Sequence, residues 1–67
     1  MLSQTHIVFS ELHRIGYAVS IMDSNHVKVW LDNREVSTLE IKHELSNLFE
    51  MEFKVYKNTA SFAIVEI

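Results

Sequence analysis

At 67 residues the chain has room for one domain at most, since so short a chain buries only roughly 60% of its unfolded surface, and a deep catalytic cleft is not expected. Its 48% hydrophobic and 22% charged residues belong to a folding chain, and with no cysteine neither a disulfide framework nor a thiolate zinc site braces it. The formal charge of −3 disfavours a general nucleic-acid binder, which needs lysine and arginine to neutralise phosphates.

The opening stretch MLSQTHIVFSELHR has no basic start, long apolar run or small-residue cleavage site. Neither a signal peptide nor a membrane span is expected, and the cytoplasm is the default compartment. Thr5, Val8, Phe9, Leu12 and Ile15 recur at helical spacing, predicting a first helix over about residues 4 to 15. Ser3 is its N-cap and Gly16 its left-handed stop, with His13 and Arg14 complementing the dipole of the last turn.

YAVSIM and HVKVWL then alternate with period two around DSN, where Asn25 tolerates the left-handed conformation that closes a hairpin. Pairing Met22 with His26 sets Val19 opposite Val29 and Ile21 opposite Val27. One face is then apolar, formed by Tyr17, Val19, Ile21, Val27, Val29 and Leu31, and the other carries Ala18, Ser20, Met22, His26, Lys28 and Trp30. A slip of one residue would mix the two sets, so the pattern fixes the register.

In VSTLEIKHELSNLF, Ser37 and Glu40 have capping-box spacing, and Val36 with Ile41 that of a hydrophobic staple. A second helix is predicted over residues 38 to 49, its apolar stripe continued by Leu45, Leu48 and Phe49. MEFKVYK and ASFAIVEI read as a second hairpin. A two-residue loop at Asn58 and Thr59 sets Val55 opposite Phe62 and Phe53 opposite Ile64. It is preferred to a three-residue loop, which would set Ser61 and Ala63 there and waste the aromatic. The outward set becomes Glu52, Lys54, Tyr56, Ser61, Ala63, Val65 and Ile67.

Without proline, and with a single glycine, the chain offers no linker, so residues 1–67 are expected to form one α+β domain. The order αββαββ most simply builds a four-stranded antiparallel sheet with two helices packed on one face. Moving the last strand to the front gives βαββαβ, so the expected architecture is a circularly permuted ferredoxin-like order. The two hairpins would then meet through residues 26 to 31 and 60 to 67. A duplication of the αββ half finds only ELHRI over ELSNL in its favour.

No catalytic constellation stands out. Ser10 and His13 are three apart on a helix face with no third group and no glycine-rich turn for an oxyanion hole. His6 with His13, and Glu40, His43 and Glu44, offer too few metal ligands and match no ligand spacing. Gly16 follows a helix, so there is no phosphate-binding loop. No enzyme activity, cofactor or metal is expected.

What remains is the sheet face away from the helices. Met22, Trp30, Tyr56 and Val65 among His26, Lys28 and Lys54 form an apolar cluster of the kind that marks an interaction site, although cross-strand Trp and Lys pairs also stabilise a sheet by themselves. The expected function is a small non-enzymatic protein-binding module, an adaptor or stand-alone inhibitor, or a homodimer formed through the same face. Very short acidic chains of this kind are often inhibitors carried by phages and other mobile elements. The alternative is a single-stranded nucleic-acid binder that stacks bases on Trp30 and Tyr56 beside Lys28 and Lys54. It lacks a run corresponding to the RNA-recognition consensus. The acidic face of the second helix, with Glu40, Glu44 and Glu50, is a second surface suited to a basic partner, though a solvated helix face also explains it.

Overall fold

The computed structural model describes residues 3–32, 34–59 and 61–67. Met1, Leu2, Asn33 and Ala60 lie outside the described residues, Ala60 among them although it belongs to the last expected strand. The elements are α1 (Gln4–Arg14), β1 (Ala18–Asp23), β2 (His26–Trp30), α2 (Thr38–Phe49), β3 (Lys54–Lys57) and β4 (Phe62–Glu66).

Both helices start and stop on the residues that local chemistry selects. Ser3 Oγ accepts the His6 backbone N–H at 3.2 Å, satisfying one of the orphan donors of the first turn. At the other end Gly16 has φ +112°, Gly16 N–H donates to His13 O at 3.2 Å and Tyr17 N–H to Leu12 O at 3.1 Å. That bond pair is a Schellman stop, with the hydrophobic residues Tyr17 and Leu12 at its two ends. Ser37 caps α2 by accepting the Glu40 N–H at 3.2 Å, and the stapling pair Val36 and Ile41 is buried. Glu50 ends α2 in the left-handed region at φ 55°, a role more often taken by glycine.

The first hairpin has the expected register, with Val19 opposite Val29 and Ile21 opposite Val27. Its end differs: Asp23, not Met22, pairs with His26, so Met22 is an extra residue and the ladder shifts there. Nor is Asn25 left-handed, since among the described non-glycine residues only Glu50 has positive φ. The turn is held instead by Asp23 Oδ1, which accepts the Asn25 N–H at 2.8 Å.

The second hairpin corrects the expected register. Val55 pairs with Val65 and Lys57 with Ala63, while Asn58 N–H donates to Phe62 O at 3.0 Å across a loop longer than two residues. Every side chain of β4 therefore changes face. Ala63 and Val65 are buried at 0% exposure beneath the helices, and Ile67 packs against the same core. Phe62 and Ile64 turn to the other side, where Trp30 pairs with Phe62 and Lys28 with Ile64.

The sheet order is β1-β2-β4-β3, with each neighbouring pair antiparallel, so the hairpins meet through β2 and β4. Val8 and Leu12 of α1, Ile41 and Leu45 of α2 and the inward residues Val27, Val29, Val55 and Val65 form one buried cluster. Both helices thus cover one face of the sheet and leave the other uncovered. Among the described residues no helix is long and apolar enough to cross a membrane.

Candidate functional site

The uncovered face is assembled by strand alternation, which sends every second side chain of the four strands away from the helices. Reading across the sheet, Trp30 faces Phe62, Lys28 faces Ile64, which in turn faces Tyr56, and His26 faces Glu66, which faces Lys54. The rings of Trp30 and Phe62 meet edge to face with centroids 5.8 Å apart, and Lys28 Nζ stands 4.2 Å from the Phe62 ring centre. Both contacts hold long side chains against the sheet. Ile64 is only 6% exposed even though no helix covers it, because Lys28 and Tyr56 flank it. Tyr56 is 42% exposed and Trp30 and Phe62 are half-buried. The result is a firm aromatic surface around Ile64.

A row of charges borders it. His26 Nδ1 lies 2.8 Å from Asp23 Oδ1, and its Nε2 lies 3.4 Å from Glu66 Oε1. A carboxylate only accepts, so both ring nitrogens donate together only in the imidazolium form. The Asp23 contact, with Glu66 behind it, raises the pKa of His26 above its ordinary value despite some desolvation. Asp23 is held below the usual carboxylate range, first by the Asn25 backbone N–H and then by His26.

Of the residues expected at this site, Trp30, Lys28, His26, Tyr56 and Lys54 share the face, and Met22 is 51% exposed at the bulge on its edge. Val65 does not belong to it: the longer loop turns it to the helix side, where it is fully buried. Sequence reasoning missed Phe62 and Ile64, and Asp23 and Glu66 as partners of His26. Glu66 was the available signal, because it is the charged residue of β4 and shares strand parity with Phe62 and Ile64.

The other candidates separate. His13 stacks on Phe9, with ring centroids 6.4 Å apart, and no hydrogen bond joins it to Ser10 among the described residues. His6 bonds Ser3, His43 bonds Asn47, and the described residues hold no group of three potential metal ligands. Glu40 and Glu44 border one cavity with Arg34, whereas Glu50 caps the far end of α2. No protein-family model matches the chain, and neither a curated protein nor a solved structure matches it at a significant level.

Proposed function

We propose that the chain is a non-enzymatic protein-binding module that covers a surface of a larger protein with its helix-free sheet face, as an adaptor or stand-alone inhibitor does in the cytoplasm. The observation that carries this reading is the cluster of Trp30, Phe62 and Tyr56 around Ile64. Rings already held against a sheet lose little freedom on docking, and aromatic anchors dominate binding energy. The border mixes Lys28, Lys54 and His26 with Asp23 and Glu66, which suits the polar rim of a protein interface. Phe62 also gives a nucleic-acid strand a third ring to stack on, but the acids on the same face repel phosphate. The sheet order further supports a permuted ferredoxin-like relation: with β4 placed first, the chain reads βαββαβ and β4 still pairs with β2.

The reading is tested by placing the photo-crosslinker p-benzoylphenylalanine at Tyr56 and, as a control, at Lys42 on exposed α2, in cells that naturally make the protein. One discrete protein adduct from position 56, absent from position 42 and lost with Trp30→Ala, is expected. An adduct of twice the chain mass would make the partner a second copy. No adduct from position 56, or the same pattern from both positions, would overturn the reading. So would binding of single-stranded oligonucleotides that disappears with Lys28→Glu and Lys54→Glu.

A further inference from the structure

The charges of the sheet face are unevenly answered. Asp23 and Glu66 both meet His26, and Lys54 stands across the β3–β4 ladder from Glu66. Lys28 differs: its cross-strand neighbours are Ser20 and Ile64, and it joins no ion pair among the described residues. Phe62 and Glu66 lie two residues to either side of Ile64 on β4, and the Lys28 ammonium leans to the ring, 4.2 Å from its centre. An ammonium over a ring face still has hydrogens to donate.

Two further donors share the cluster. The Trp30 indole N–H only donates and the Tyr56 hydroxyl can do so. Neither has a hydrogen-bond partner among the described residues, and neither is sealed from solvent. The aromatic cluster therefore presents one unanswered positive charge and spare donors beside its rings, while the carboxylates of the same face are turned to His26. Such a surface complements an acceptor that carries negative charge and has apolar neighbours.

We infer, resting on the binding-module reading, that the occupant is a protein segment that sets an aspartate or glutamate side-chain carboxylate on Lys28 and adjoining apolar side chains on Trp30, Phe62 and Tyr56. One ammonium matches one carboxylate. A phosphate, with nearly two charges, or a chain terminus draws on arginine clusters or free backbone N–H groups. β2 and β4 are inner strands whose backbone is engaged in ladders on both sides. A second copy set face to face would bring another Lys28 and no unengaged carboxylate. Size agrees: four strands, with five residues in β2, make a plane of roughly 15 by 17 Å. That is on the order of 250 Å², well under the roughly 800 Å² each side of a standard interface buries, and it suits a single segment.

The test is a selection of random twelve-residue peptides, displayed without a free carboxy-terminus, on the full chain after removal of those that bind Trp30→Ala. The selected peptides, synthesised as dye-labelled terminal amides, are titrated by fluorescence anisotropy. They should carry an aspartate or glutamate beside leucine, isoleucine or an aromatic residue. Lys28→Gln, or replacing the peptide's acid by its amide, should each weaken binding by about tenfold, the loss of one charge-assisted hydrogen bond. The two changes together should weaken it no further, and Lys28→Arg should retain it. Trp30-dependent peptides that carry no acid, or that are indifferent to Lys28→Gln in a chain of unchanged circular dichroism, would overturn the inference and leave the binding-module reading standing. Displacement of the peptides by an oligothymidylate would overturn it by assigning a phosphate, and a sedimenting dimer lost with Trp30→Ala by assigning a second copy. A library without Trp30-dependent peptides would also overturn it, and crosslinking from position 56 then decides the wider reading separately.

Discussion

His26 shows how one side chain ties distant segments together. It joins Asp23, on the neighbouring strand, to Glu66 at the end of β4, which itself faces Lys54. The pKa of His26 is raised from 6.5, so its contribution to stability is complete below that value and is lost as pH rises through the higher folded-state value. Asp23 is lowered from 3.8, so its contribution is present above that value and lost as pH falls through the lower folded one. The melting temperature of the wild type should therefore exceed that of His26→Gln most between about pH 4 and 6.5, with the gap closing on both sides. A gap independent of pH would mean that His26 acts only by packing.

Among the elements, β4 separates what the sequence discloses from what it hides. Both helices and the first hairpin were legible because polar and apolar residues alternate clearly in them and their caps are Ser3, Gly16 and Ser37. In β4 nearly every position is apolar, so period two carries little contrast, and a preference for burying Phe62 selected the wrong face. The core took the small Ala63 and the branched Val65 instead, opposite Val29 and Val27. The candidate site suffered the same error, gaining Val65 and losing Phe62 and Ile64. With this register Val65→Ala should cost about 2 kcal/mol, from two lost methyl groups and a partly relaxed cavity. Phe62→Ala should cost about 1 kcal/mol, mostly the edge contact with Trp30. Urea unfolding of the two variants decides, since the opposite register would make Phe62→Ala the worse, at about 3–5 kcal/mol.

At the scale of the whole molecule, the single buried cluster draws on both αββ halves, and the radius of gyration of 10.7 Å is close to the roughly 11 Å expected of a well-packed chain of this length. Neither half has a core of its own, so unfolding should be one cooperative step with a stability of about 3–5 kcal/mol. Trp30 fluorescence on β2 and far-ultraviolet circular dichroism should give coincident urea transitions, whereas separated transitions would show halves that fold alone. The bulge at Met22 bears on a different property. β1 and β3 form the two margins of the sheet, and a margin offers unpaired backbone groups to any passing chain. On one side Met22 breaks the ladder just before Asp23, and on the other only four residues pair, with Lys54 and Lys57 among them. Neither margin is a good template for adding strands, so crowding should not draw copies together edge to edge into fibres.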